Sequence, residues 1–206
     1  MITEVVSVGV LGVNCCIVYD EETREGVLID PGAQAEKILA AVEKTGAKIK
    51  AILLTHGHFD HVMAVDAVRD KLKAPVLIGE YDAALLEDPE RNLARPYMHR
   101  EVTVQADRLV HDGEELPYLT GIRVLLVPGH TPGSVCYYIP EEKTVFAGDT
   151  LFAGSIGRTE SSEEERQLLS AIRETLFTLP PDTIVVPGHG PSTGIGREIR
   201  MNPFFF

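Results

Sequence analysis

Cysteine is scarce in this chain of 206 residues: Cys15, Cys16 and Cys136 are the only three. An odd count with no C-x-x-C spacing speaks against a disulfide framework and against a thiolate metal site. Adjacent strand residues point to opposite faces, so Cys15 and Cys16 are expected on different sides of one strand. All three read as small buried apolar side chains in a reducing compartment. Basic residues are also short, 19 Lys and Arg against 31 Asp and Glu, for a net charge of −12. Nucleic-acid affinity rests largely on Lys and Arg neutralising phosphates, so no nucleic-acid partner is expected. Long apolar runs are missing too. The best candidate, Val5 to Val18, is interrupted by Ser7, Gly9, Gly12 and Asn14, follows Glu4, and has no Lys or Arg before Arg24. It fits neither a signal peptide nor a membrane span, and a cytoplasmic protein is expected. No Pro-, Gly- or Ser-rich linker and no internal repeat divides the chain. Residues 1–206 therefore read as one globular domain, with an ordinary 44% hydrophobic and 24% charged content.

The hydrophobic pattern predicts strands over Val5–Val10, Cys15–Tyr19 and Gly26–Ile29, the last stopped by Asp30-Pro31-Gly32. Apolar residues Ile38, Leu39, Ala41 and Val42 recur at helical spacing within Ala35–Thr45, and Gly46 ends that helix. The continuous run Ala51–Leu54 suits a strand buried on both faces. A helix over about His61–Lys73 and a strand at Val76–Ile78 should follow. Residues 80–112 are irregular and charged, and on position alone they are expected to shape a substrate pocket. Strands at Ile122–Val127, Ser134–Ile139 and Thr144–Ala147, a helix at Glu163–Leu176 and a strand at Thr183–Val186 complete the order. Two strand-dense halves with helices between them suggest two stacked sheets with helices outside.

The segment His56-Gly57-His58-Phe59-Asp60-His61 directly follows the Ala51–Leu54 strand. Four metal-competent side chains in six residues are hard to explain as packing. His56 and His58 would share a face, while Asp60 and His61 lie where the chain turns into a helix, so one loop can serve two neighbouring points. Imidazole and carboxylate suit zinc, iron or manganese. Three further candidates repeat the same placement. His130, Asp149 and His189 each stand where an apolar strand runs out into a Gly-bounded turn. Glycine there permits positive φ and close backbone approach. Any one of these could be a hydrogen-bonded strand-end residue or a turn former; their repetition at four strand ends argues for convergence. His99 and His111 lie in charged stretches without that setting and read as ordinary surface residues.

The H-x-H-x-D-H motif, followed by a separate His, an Asp and a final His, resembles the metallo-β-lactamase-fold superfamily over nearly the whole chain. The resemblance implies an α/β, four-layer αββα sandwich with the metal site at one edge of the two sheets. It implies that His56, His58 and His130 hold one divalent ion, that Asp60, His61 and His189 hold a second, and that Asp149 bridges them. Asp30 matches a superfamily aspartate set just behind the ligands. Within the superfamily, Gly148-Asp149-Thr150-Leu151-Phe152, Gly154-Ser155-Ile156-Gly157-Arg158-Thr159 and Pro187-Gly188-His189-Gly190-Pro191 look like the glyoxalase II-like hydrolases, as does Asn202-Pro203-Phe204. Glu160 and Gly194 depart from that branch's usual Asp and Thr. The chain is similar to the short bacterial type, without the helical C-terminal domain that supplies basic residues to glutathione in two-domain members.

The reaction this implies is hydrolysis of a small-molecule thioester, a hydroxyacylglutathione such as S-lactoylglutathione, by a metal-bound hydroxide. Asp60 could bind metal, orient the nucleophile, or do both. Zinc is favoured over iron or manganese. Two alternatives on related scaffolds are a persulfide dioxygenase with a mononuclear iron site and a lactonase or β-lactamase. The sequence does not fix the acyl group, the thiol or the oligomeric state. A metal-stabilised binding scaffold would be expected to lose ligands, and this chain has kept every one.

Overall fold

A computed structural model describes all residues, 1–206. The first six strands are β1 (Ile2–Val8), β2 (Val13–Tyr19), β3 (Glu25–Ile29), β4 (Lys48–Leu54), β5 (Val76–Gly79) and β6 (Arg108–Val110). They form one sheet in sequence order, antiparallel from β1 to β3 and parallel from β3 to β6. The next strands are β7 (Glu115–Leu116), β8 (Ile122–Leu126), β9 (Val135–Ile139), β10 (Thr144–Gly148), the hairpin β11 (Leu151–Phe152) and β12 (Ser155–Ile156), then β13 (Ile184–Pro187) and β14 (Thr193–Gly194). A second six-stranded sheet runs β14-β13-β10-β9-β8-β7. The helices are α1 (Ala35–Thr45), α2 (Phe59–Val62), α3 (Val65–Leu72), α4 (Ala83–Leu86), α5 (Ala94–Met98), α6 (Ser162–Glu174) and α7 (Ile195–Met201).

Strand alternation builds three apolar layers from these elements. In β2, Cys16 and Val18 face the second sheet, while Cys15, Ile17 and Tyr19 face the helices. The two adjacent cysteines therefore do lie on opposite sides, and all three cysteines are free and buried. Between the sheets, Val27, Ile29, Ala51, Leu53 and Leu77 meet Ile122, Val124, Tyr137, Phe146 and Val186. Outside the first sheet, Ile38 and Val42 of α1 and Val65 and Val68 of α3 pack on Leu28, Ile52, Leu54 and Ile78. Outside the second, Leu168 and Ile172 of α6 and Ile195 of α7 cover Val145, Ala147 and Val185. Helix, sheet, sheet, helix is the αββα sandwich. Burying a side chain of this kind contributes roughly 1.5–3 kcal/mol each; the layers are what hold the strand ends in register. Three consecutive glutamates, Glu163–Glu165, favour the first turn of α6, and Ser161 caps it by accepting from Glu164 N–H.

Two local differences from the sequence pattern have physical causes. The helix expected over His61–Lys73 is broken into α2 and α3, because Ala64 N–H bonds Pro31 O instead of continuing the ladder. Helix α7 carries Gly196 in its first turn, a poor helix former, and so gave no helical signal. Residues 80–112 contain a 3₁₀ turn, α4, α5 and β6. At the C-terminus Phe205 packs on the Phe177 ring at 4.6 Å and beneath Arg173, while Phe206 is exposed. No helix is long and apolar enough to cross a membrane.

Candidate metal centre

Five strand ends open onto one place. Asp30 follows β3, His56 and His58 follow β4, His130 follows β8, Asp149 follows β10 and His189 follows β13. Asp60 and His61 come from α2 directly after the β4 turn. The ligating atoms gather into three overlapping sets, His56–His58–His130, His56–His61–Asp149 and Asp60–His61–His189, each within 4.8 Å. Asp149 addresses both ends of the cluster: its Oδ1 lies 3.4 Å from His61 Nε2, and its Oδ2 lies 3.5 Å from His189 Nε2 and 3.8 Å from His130 Nε2. Every residue singled out from the sequence is thus brought together, and His99 and His111 are left outside. His111 instead pairs with Glu80 at 3.0 Å on the surface.

The far nitrogen of four of the five rings is fixed by an accepting partner. His61 Nδ1–H donates to Asp30 Oδ2 at 2.9 Å, His130 Nδ1–H to Arg158 O at 2.7 Å and His189 Nδ1–H to Leu11 O at 2.9 Å. Thr55 Oγ1 gives its proton to Asp30 Oδ2 at 2.6 Å and so accepts from His56 Nδ1–H at 3.1 Å. Those contacts leave Nε2 of four rings bare and aimed inward. His61 Nε2 and His189 Nε2 stand 3.3 Å apart, and His58 Nδ1 and His130 Nε2 3.0 Å apart. Bare nitrogens at such separations repel unless a proton or cation lies between them. Tetrahedral coordination with bonds of about 2.0–2.1 Å places ligand atoms about 3.3 Å apart, which is the spacing seen. His56 Nε2 and Asp149 Oδ1 are moreover buried with no hydrogen-bond partner. Orphaned buried polar atoms are costly, and a cation would satisfy both.

Charge balance points the same way. Burial is the largest influence on His56 and His58 and disfavours their charged forms; His56 falls well below the usual imidazole value, and His58 falls to about 3, helped by His130 and His61. Burial alone would raise Asp149, yet His61, His130 and His189 together hold it below the ordinary carboxylate range. Burial would likewise lower His61, but Asp149 and Asp30 outweigh it and raise that imidazole well above its usual value. Without a metal, a proton on His61 would balance the buried carboxylates. A divalent cation does so without protonating a ligand.

Several further positions support the ligands, and of these sequence reasoning missed Leu11. Gly188 has no room for a side chain, since a Cβ there would overlap Asp149 Oδ1 and press on His61 Cε1. Leu11, on the β1–β2 turn, supplies the carbonyl that holds His189. Residues 80–112 do line the cleft, through Leu85, Arg91, Leu93 and Tyr97. Asp30 is held at φ +48°, a left-handed conformation that aspartate tolerates better than most residues. Its role gives a first expected result: Asp30→Asn should weaken metal binding about 10–100-fold, the usual effect of removing a ligand's orienting partner. Competition against a chromophoric chelator measures it, and unchanged affinity would show the Asp30–His61 contact to be idle.

Residues 8–189 match the metallo-beta-lactamase superfamily. The chain belongs to that superfamily, whose fold it has. Among relatives, the probable metallo-hydrolase YqgX of Bacillus subtilis is 40% identical over 183 residues, 86% of each chain. Hydroxyacylglutathione hydrolase GloC of Haemophilus influenzae is 35% identical over 205 residues, 98% of this chain and 96% of that one. Among solved structures, the B3 metallo-beta-lactamase BLEG-1 superposes with a TM-score of 0.94 at 38% identity, covering 99% of both chains. TTHA1623 in a di-iron-bound form gives 0.84 at 40% identity over 98% of this chain and 99% of that one. ETHE1 from Myxococcus xanthus gives 0.81 at 30% identity, covering 98% of this chain and 84% of that one.

Proposed function

We propose that the protein hydrolyses thioesters of the hydroxyacylglutathione class, using two divalent cations held by His56, His58 and His130 and by Asp60, His61 and His189, with Asp149 between them. The observation that carries the reading is the pair of Asp149 carboxylate oxygens directed at both histidine groups. The thioester assignment is supported by the likeness to GloC along almost the full length of both chains. Bound there, such a cation pair would acidify water to supply a hydroxide near neutral pH and would polarise a carbonyl.

The chain's own residues supply the rest. A cleft of about 420 Å³ opens over the cluster, with Leu11, Phe59, Leu93 and Tyr97 as apolar walls. Phe59 and Tyr97 stack at 6.1 Å, which stiffens one wall. Arg158, which with Arg91 gives the cleft its non-histidine basic side chains, is steadied at 3.0 Å by Tyr97 Oη. In an acidic protein its guanidinium is suited to a carboxylate on the thiol half of the substrate. Asp60 faces the cleft, 3.3 Å from His189 Nε2, where it can both ligate and accept a hydrogen bond from an attacking water. A thiol has a pKa of about 8.5, so a thiolate departs with little need of a general acid. Nitrogen and oxygen donors admit zinc, iron and manganese alike, and zinc is the ion we propose.

A second reading, a persulfide dioxygenase with one iron, is favoured by the His56–His61–Asp149 set, a two-histidine, one-carboxylate group. A substrate panel separates the readings. S-lactoylglutathione should be hydrolysed with kcat/KM at least about 100-fold above lactones and β-lactams, a gap of ~2.7 kcal/mol in transition-state binding. No oxygen should be consumed with glutathione persulfide. Preference for a lactone or β-lactam, or oxygen uptake with persulfide, would replace thioester hydrolysis with the corresponding activity.

A further inference from the structure

Asp82 is a fully buried carboxylate that the sequence pattern did not single out. It lies just past β5, at the end of the 3₁₀ turn Glu80–Asp82. Three donors converge on it. Gly57 N–H donates to Oδ2 at 2.9 Å, Thr131 Oγ1–H to the same oxygen at 2.8 Å, and Gly133 N–H to Oδ1 at 2.7 Å. Gly57 stands between His56 and His58 on the loop from the first sheet, whereas Thr131 follows His130 on the loop from the second. One carboxylate therefore ties together the two loops that meet at the His58–His130 contact of 3.0 Å.

The surroundings are built for this contact. Thr131 Oγ1 spends its proton on Asp82, so Ser134 Oγ donates to it at 2.6 Å and in turn accepts from Thr131 N–H at 3.2 Å. Gly133 admits no side chain, because a Cβ there would overlap the Asp82 backbone nitrogen. Other cross-sheet bonds lie elsewhere: Val135 N–H to Thr55 O at 2.8 Å and Tyr137 Oη–H to Leu54 O at 2.8 Å secure the base of the β4 turn. Neither reaches His58 or the His130 turn. The second histidine group has its own anchors, Asp30 for His61 and Leu11 O for His189.

We propose that Asp82 is a positioning residue that sets the His58–His130 separation, and with it the cation affinity of the His56–His58–His130 site, leaving the Asp60–His61–His189 site at its own strength. The inference rests on the metal-centre reading above. Asparagine at this position has one acceptor oxygen and turns an N–H₂ towards a donor, so at least one of the three contacts is lost. Valine at 131 removes only the hydroxyl donor, and serine restores it.

The test titrates chelator-stripped protein with Zn²⁺ against a chromophoric competitor, and with Co²⁺ followed by its d–d absorption. Asp82→Asn should weaken one of two equivalents about 10–100-fold and leave the other unchanged. Thr131→Val should weaken the same equivalent by less, and Thr131→Ser should match wild type, which a merely structural loss would not produce. Two equivalents at wild-type affinity in folded Asp82→Asn, or equal weakening of both, would overturn the proposal. Should Asp82→Asn fail to fold, the Thr131 pair decides: Val indistinguishable from Ser overturns it. Wild type that binds no ions would instead sink the metal-centre reading itself.

Discussion

Asp149→Ala should reduce thioester turnover about a thousandfold, equivalent to ~4 kcal/mol of barrier. This carboxylate is the one group whose two oxygens face both histidine sets, with Oδ1 lacking any hydrogen-bond partner. Removing it leaves His61, His130 and His189 without their shared counter-charge, so at least one cation should leave with the activity. Elemental analysis beside steady-state rates checks both at once. His58→Ala should act in the same direction at one end of the cluster only. An Asp149→Ala protein with full metal content and wild-type rate would contradict the bridging role.

Stripping the metal should abolish turnover and also change how stability depends on pH. In the stripped protein His61 keeps a proton, its pKa raised because Asp149 and Asp30 outweigh burial. A raised imidazole pKa contributes stability that is complete below the unfolded value near 6.5 and is lost as pH climbs through the folded value. Asp149 works in the opposite sense: its lowered pKa contributes stability above the ordinary carboxylate value that is lost as pH falls. Stripped protein should therefore lose thermal stability from neutral pH upward, whereas cation-loaded protein, with no proton on that ligand, should not show this loss. Melting curves across neutral to alkaline pH, with and without metal, give the comparison. Parallel curves for the two forms would mean that His61 does not exchange a proton for a cation.

Much of this site is written locally. His56, His58, Asp60 and His61 sit within six residues of a buried strand, and His130, Asp149 and His189 each repeat that strand-end placement. Chain alternation with period two also made the opposite facing of Cys15 and Cys16 readable in advance. Asp82 has the same kind of signal, lying three residues past the apolar run Val76–Gly79, but the charged neighbourhood of residues 80–112 obscured it. The anchoring roles of Arg158 and Leu11 could not be read, because each holds its histidine through a backbone carbonyl, which carries no side-chain signature. The same applies to the break between α2 and α3, set by a carbonyl of Pro31 from a distant loop. Contacts made by backbone atoms across long sequence separations exist only once the sheets have stacked.

The most direct measurement adds a divalent cation stepwise to chelator-stripped protein while counting bound ions and following S-lactoylglutathione hydrolysis in the same sample. Two ions bound per chain, with hydrolysis absent at the start and rising as they fill, is the predicted course. Turnover at full rate before any ion is added, or a chain that takes up none, would contradict it.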